Sequence, residues 1–402
     1  MRMEAEYLDK SIAGASSATP DDWKWQLRNA VRTVDDLNQQ LALFTDRRVQ
    51  TSDKTERIAN ELFNFKVTPF MISALRRGLE SNVPGTWNAF CAAFTPTELE
   101  VGREDRAPSL RADSIGEDLL ESHPAPGITR FYKNRALLRV SHMCPAYCRY
   151  CFRRRLVGDE KGAWNQQEVD ASISYIQSDS AISEVIISGG EPLVLGDKRI
   201  DHVLARLDDI GHVRRVRIDT KALTMIPQRV TSQLCGVLRT SKMTAVIGHF
   251  THSYELVPEV ERAASRLVDA GIPVYAHIPL LRNVNDDEAV LEQLVERLAD
   301  LRIRPYYLIH FIPTGWTEHF RVSIARGLEL IEYLQRRCTG LAIPAYIVYL
   351  PDGHGKVQLA PSHLVRRSED GYIFRAHDGA DVLYSEPLHN DQRVGSDYTV
   401  RD

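Results

Sequence analysis

From Ala136 to Leu350 short apolar runs alternate with amphipathic stretches, and this alternation limits the possible fold more than any other feature of the chain. The apolar runs are Ala136–Ser141, Glu184–Ser188, Val213–Ile218, Ala245–Phe250, Ile272–Ile278, Tyr306–Phe311 and Ala345–Leu350. They have strand length and sit between stretches of helical period: Gln166–Gln177, Pro227–Leu238, Pro258–Ala270, Asp287–Leu301 and Val322–Arg337. Such alternation predicts parallel strands joined by right-handed crossovers. Units of similar length favour an α/β barrel or partial barrel over an open sheet. Active sites of such barrels lie where the strands run out at their C-terminal ends.

Upstream, residues 1–20 are polar and read as a mobile tail, and 21–127 as a helical N-terminal region. Trp23, Trp25, Leu27, Val31, Val34, Leu37, Leu41 and Leu43 suggest helix from Trp23 to about Phe65, with a start at Thr33 followed by Asp35 and Asp36. Residues 84–127 carry several Pro and Gly and read as an irregular connection with solvated acids. The barrel is expected over 128–311 and a C-terminal segment over 312–402, ending in a hydrophilic tail. Hydrophobic residues are 43% and charged residues 26%, so wholesale disorder is excluded. A net charge of −4 gives no general attraction to nucleic acid or anionic membrane. No run approaches the ~18 apolar residues of a membrane span. The N-terminus lacks a secretory apolar core, and a cytoplasmic location is expected.

Six cysteines are too few for a disulfide scaffold in a chain of 402 residues. Cys144, Cys148 and Cys151 cluster directly after the first barrel strand, whereas Cys91, Cys235 and Cys338 are scattered. Three thiolates spaced this way can each hold one iron of an iron–sulfur cube and leave the fourth iron open to a small molecule. A buried stripe on one helical face is the plain alternative, which Pro145 and the arginines Arg149, Arg153, Arg154 and Arg155 make less attractive. A zinc site with His142 is a further one, at a spacing unusual for structural zinc.

The motif Cys144-x-x-x-Cys148-x-x-Cys151 after a first barrel strand resembles the radical S-adenosylmethionine (SAM) superfamily. The text around it (MCPAYCRYCFRRRLVG), WKWQLRNAVRTVDDL near the N-terminus and PYYLIHF…EHFR…ARGLELIE…TGLAIPAYIVYLPDGHGK resemble the lysine 2,3-aminomutase family, from about residue 22 to about residue 388. The resemblance implies a radical SAM partial (β/α)6-type barrel with a helical N-terminal extension and a C-terminal segment. It implies an isomerase that uses a 4Fe–4S cluster, SAM and pyridoxal 5′-phosphate (PLP) to move an amino group from the α- to the β-carbon of an amino acid, through a 5′-deoxyadenosyl radical. An electron donor such as flavodoxin or ferredoxin and a homo-oligomer are implied as well.

The resemblance also assigns residues. Gly189, Gly190 and Glu191 end the second strand, and by spacing alone read as a tight turn; they match the superfamily's site for the SAM amino group. Lys356 follows a glycine-rich loop, a surface turn by spacing alone, and matches the PLP lysine. Asp352 and His354 stand in that loop where relatives mostly have glycine. Arg135 matches an arginine near the cofactor phosphate. A second such arginine falls on Phe131, for which Arg130 is a neighbouring substitute. Arg153 matches the arginine that pairs with the substrate carboxylate, against a solvated basic run as the plain reading. Apart from the resemblance, His249 and His252 after the fourth strand and His277 in the fifth lie at strand ends, where contact with cofactor or substrate and a structural role are equally compatible; His277 is counted with the cofactor residues, and Thr220, Lys221 and Arg282 stand likewise open.

Two departures stand out. Lysine-specific members hold the distal ammonium with two aspartates, and Ile312 and Tyr349 occupy those places. An unpaired ammonium in a dry pocket costs several kcal/mol, so an uncharged side chain fits more simply, unless Glu318 or Asp352 restores the charge. The cysteines of the family's structural zinc are absent, Asp287 standing at the internal position, and no zinc is expected. Other outcomes of the same radical chemistry stay open: a dehydrogenase, an epimerase or modification of a lysine in another protein. So does a non-catalytic protein with a structural zinc or iron–sulfur site.

Overall fold

A computed structural model of the protein describes residues 21–101, 112–240, 242–368, 371–376 and 379–385. The expected N-terminal tail and the hydrophilic C-terminal end lie outside these residues. All seven expected strands form: β2 (Arg135–Ser141), β3 (Glu184–Gly189), β4 (Arg215–Thr220), β5 (Met243–His249), β6 (Val274–Leu280), β7 (Ile303–His310) and β8 (Ala345–Tyr349). They pair in parallel and in chain order. β1 (Ile128–Tyr132) adds antiparallel to β2, and β9 (Lys356–Leu359) antiparallel to β8. The resulting nine-stranded sheet curls into a half-barrel. It continues past residue 312 to take in β8 and β9, and the chain divides into two compact units between Leu359 and Ala360. The second unit carries a three-stranded antiparallel sheet, β10 (Leu364–Ser368), β11 (Gly371–Arg375) and β12 (Asp381–Ser385).

Six helical crossovers link β2 to β8. Four of the expected helices form close to their expected bounds: α6 (Gln166–Ser178), α9 (Pro258–Asp269), α10 (Glu288–Asp300) and α11 (Ile324–Arg337). The stretch expected as helix from Pro227 to Leu238 breaks into a 3-10 turn and α8 (Ser232–Leu238). Thr231 restarts the helix there by accepting from the Leu234 N–H. Helix α7 (Asp197–Asp208) was not expected, although its buried Ile200, Val203, Leu204 and Leu207 keep the helical period. Its N-cap is Gly196, so no capping side chain announces its start. Asp287 caps α10 by accepting from the Ala289 and Val290 N–H groups.

The N-terminal region is a set of short helices, each begun by its own cap, and not one run. They are α1 (Trp23–Arg28) after Asp22, α2 (Val34–Leu41) after Thr33, α3 (Asp53–Leu62) after Ser52 and α4 (Pro69–Glu80) after Thr68. Residues 84–127 also depart from expectation, because α5 (Thr86–Phe94) forms there. Leu37, Leu41, Phe70, Leu75, Phe90 and Phe94 join the barrel strands in one buried core. Two backbone bonds tie the N-terminal region to the cysteine loop, Tyr147 N–H donating to Lys66 O (3.0 Å) and Arg149 N–H to Ala93 O (2.8 Å).

Candidate active site

A cavity of about 250 Å3 is lined by the ends of the parallel strands and the loops that follow them. Cys144, Cys148, Cys151, Arg153, Gly189, Gly190, Glu191, His277, Ile312, Tyr349 and Lys356 all line it. Most residues singled out from the sequence therefore share one space. Arg135 stands just outside it.

The cysteine loop is stitched to its surroundings by backbone. Gly190 N–H donates to Ser141 O (2.6 Å) and Glu191 N–H to Met143 O (2.7 Å). Gly189 has φ +128°, and a Cβ there would stand 2.4 Å from Ser141 O; one on Gly190 would stand 2.5 Å from Met143 O. The glycines are thus required for the close approach of two loops. The Glu191 carboxylate is already occupied. It accepts from Thr220 Oγ1 (2.6 Å), Lys221 N (2.7 Å) and Leu193 N (2.9 Å). Burial raises its pKa against the pull of these donors. These three bonds fix the side chain, and the residue still lines the cavity.

Among the described residues, no three His, Cys, Asp or Glu side chains gather about one point as a single metal ion requires. The three thiols instead line one wall, each within reach of another's charge. Burial holds the Cys144 and Cys151 thiols above the usual range and pushes Cys148 up to about 12. Cations oppose that effect: Lys66 at Cys144, Lys221 at Cys148, Arg153 and Arg154 at Cys151. Lys66 is itself buried and donates to the Cys144 carbonyl (2.9 Å). Soft ligands in a wall of compensating cations suit a negatively charged thiolate-bound iron–sulfur cluster. His142 is engaged elsewhere, with Nδ1 2.8 Å from Leu156 O and its ring stacked on Trp164.

The arginines after Cys151 are not a solvated run. Arg153 forms a bidentate pair with Glu117 (Nη2–Oε1 2.7 Å, Nε–Oε2 3.1 Å) and donates to Ser188 Oγ (3.1 Å). Arg154 and the fully buried Arg149 share Glu100, and Arg155 lies against Asp113 and Asp118. The expectation of solvated acids in 84–127 therefore fails: Glu100 and Glu117 are buried, as partners to the cysteine-loop arginines. Arg153 still faces the cavity and keeps N–H groups beyond those three bonds.

On the lysine side, the Lys356 N–H donates to Tyr132 Oη (2.8 Å). A Cβ on Gly355, at φ +77°, would stand 2.6 Å from that oxygen, so glycine is needed. Asp352 takes up the left-handed conformation (φ 56°), which aspartate tolerates better than most residues. The Lys356 Nζ stands 4.1 Å from the centroid of the Tyr307 ring and 5.8 Å from that of Tyr349. Burial, aided by Arg217 and Arg135 and opposed by Asp219, lowers the amine pKa to about 8. A neutral, desolvated amine is what Schiff-base chemistry needs. The Arg135 guanidinium stacks 4.3 Å from the centroid of the Tyr132 ring. Arg130 is turned away, held by Asp179 (2.5 Å) and Tyr175 (2.7 Å). Lys356, Arg135 and Arg217 together fit an aldehyde cofactor carrying a phosphate.

Arg217 and Asp219 were missed from the sequence. They occupy alternate positions of β4, so both point into the barrel. Their signal was a charged residue at every second position of the strand, alternating with the buried Val216, Ile218 and Thr220. His277 is held neutral by burial and by the charges of Lys356 and Arg217, and stacks on Tyr306 and Tyr307. His249 is also in the cavity, with Nε2 3.2 Å from Tyr150 Oη. His252, Arg282, Glu318 and Asp352 do not line it. His252 caps a short turn by accepting from the Tyr254 N–H (3.2 Å), Thr220 binds Glu191, and Lys221 pairs with Glu255 (2.9 Å).

Comparison with known proteins finds similarity along nearly the whole chain. Residues 134–222 match the family model of a 4Fe-4S single cluster domain, and residues 331–401 that of lysine-2,3-aminomutase. The L-lysine 2,3-aminomutase of Clostridium subterminale is 33% identical over 376 residues, which is 93% of this chain and 86% of that protein. The L-lysine 2,3-aminomutase of Methanococcus maripaludis is 33% identical over 95% of this chain and 85% of its own. The glutamate 2,3-aminomutase of Clostridioides difficile is 32% identical over 94% of this chain and 86% of its own.

Proposed function

The chain belongs to the lysine 2,3-aminomutase family, and from that premise we propose that it is a radical SAM, PLP-dependent amino-acid 2,3-aminomutase whose substrate has an uncharged side chain. The observation that carries this reading is the sharing of one cavity by the three thiols of the cysteine loop and the buried Lys356. When bound, the cluster with SAM supplies a carbon radical, and PLP supplies a conjugated carbonyl that activates the amino group.

The protein's share is to hold, orient and exclude. Cys144, Cys148 and Cys151 would hold the irons, and the backbone of Gly189 and Gly190 would receive the amino acid end of SAM. Lys356 would hold PLP, with Arg135 and Arg217 on its phosphate and His277 beside its ring. Arg153, fixed by Glu117 and Ser188, would orient the substrate carboxylate by its remaining N–H groups. The apolar lining of Ile247, Ile309, Phe311 and Phe152 keeps water from a reactive radical.

The choice of substrate rests on Ile312 and Tyr349, which both line the cavity. Burial raises the Tyr349 pKa, so the phenol stays neutral. Neither Glu318 nor Asp352 reaches the cavity to restore a counter-charge. The test is anaerobic incubation of the reconstituted enzyme with the common amino acids, SAM and reductant, followed by mass spectrometry of the products. A β-isomer of an uncharged amino acid is expected. Turnover of lysine or glutamate in preference to it refutes the substrate reading. SAM cleavage without any β-isomer refutes the aminomutase reading and leaves a different radical outcome.

A further inference from the structure

Among the polar groups of the cavity most are already engaged: Glu191 by Thr220 and backbone, Lys221 by Glu255, Arg153 by Glu117, Arg217 against Glu184 (2.7 Å). Asp219 differs. Its Oδ1 is buried without a hydrogen-bond partner although it faces the cavity. It stands on the inward face of β4, one inward position beyond Arg217, and its charge is felt at Lys356. A carboxylate in a dry wall is retained only where positive charge faces it. Arg217 and Arg153 supply part of that charge, and Lys356 is the third neighbouring cation.

We infer that Asp219 is a positioning residue that acts through Lys356, as the counter-ion of the protonated nitrogen by which the lysine carries its aldehyde cofactor. This rests on the reading of Lys356 as the PLP lysine. The chemistry balances without any further reagent. The Lys356 ammonium condenses with the aldehyde, a carbon–nitrogen double bond forms, and two of the three ammonium hydrogens leave with the aldehyde oxygen as water. The nitrogen keeps one proton and one positive charge, and Asp219 faces it. The protonated linkage is the form that an incoming substrate amine attacks, so its lifetime decides how readily substrate replaces lysine.

Arg217, Arg153 and Arg135 are permanently cationic, Glu184 is paired with Arg217, Tyr307 and Tyr349 are held protonated by burial and His277 is held neutral. Asp219 is therefore the anion whose removal the linkage reports.

The test uses the full chain loaded with PLP alone, before cluster assembly, so that iron–sulfur absorption does not mask the yellow band of the protonated linkage. Wild type should keep that band to higher pH than D219N, in which the midpoint of its loss should fall by about one pH unit or more, a tenfold change in proton affinity. The smaller variant D219S carries the same expectation if D219N does not fold. A neutral variant that loads PLP normally and titrates with wild type overturns the inference. Failure of borohydride to fix PLP on Lys356 of the wild type is a separate result, and it overturns the PLP reading itself.

Discussion

The cysteine loop and the lysine loop face the same cavity and are built on opposite plans. The cysteine loop is anchored before any ligand arrives. Its backbone is tied to Gly190 and Glu191, its carbonyl to Lys66, and its arginines to Glu100 and Glu117. The lysine loop is tied down by Tyr132 at one backbone N–H, by Ile115 at Gly353 and by its own turn, while its side chain stands uncommitted over an aromatic ring. One loop is a rigid socket for several soft ligands. The other presents a single nucleophile whose reactivity is set by its neighbours. The difference teaches that the two chemistries are carried differently: by spacing in the first and by environment in the second.

The largest effects should separate the two sides completely. Cys148→Ala is expected to abolish cluster absorption and SAM cleavage while leaving borohydride fixation of PLP intact. Lys356→Ala should do the reverse, losing the adduct and keeping SAM cleavage. A variant that lost both functions at once while still folded would break the distinction. Next in size, Glu117→Ala leaves Arg153 unpaired in a buried wall, with a stability loss of about 3–5 kcal/mol. Thermal melting should show it, and Glu117→Gln should recover only part.

The lysine side can be sharpened by pH. A pKa of about 8 in place of 10.5 raises the fraction of free amine at neutral pH by roughly 300-fold. The rate of PLP capture should rise with pH and level off above about 8; a rise continuing to 10.5 would show an ordinary, solvated lysine. Since the folded value lies below the unfolded one, this group lowers the stability of the apo protein at neutral pH, and the penalty fades as pH climbs from about 8 to 10.5. The smallest effect belongs to Gly190→Ala. Its new methyl meets Met143 O at 2.5 Å, which should cost about 1–3 kcal/mol. Lower iron content after reconstitution, with unchanged PLP capture, is the expected signature.

Legibility in the sequence follows the same division. Strands and the cysteine trio were readable because buried parallel strands are continuous apolar runs and ligand spacing is a local property. Helix α7 escaped because its cap is a glycine. Glu100 and Glu117 looked solvated because nothing local announces a partner 49 or 36 residues away. The bond that the Glu191 side chain accepts from Thr220 of the next strand had no local sign either. Arg217 and Asp219 were visible only as alternate residues of β4, a pattern that acquires meaning once the strand is known to face a cavity.

The tyrosine that steadies the lysine loop has a consequence for distance. Tyr132 closes the hairpin from which β2 departs, and β2 runs straight into the cysteine loop. A single extended segment, rising about 3.3 Å per residue, therefore measures the gap between the two loops. Deleting one residue from it would shorten the ruler by a step and also turn the sulfur ligands to the opposite face of the sheet. A side chain that lines the cavity, such as Ile312 or Tyr349, can be exchanged without moving either loop, while the length of β2 has no such freedom.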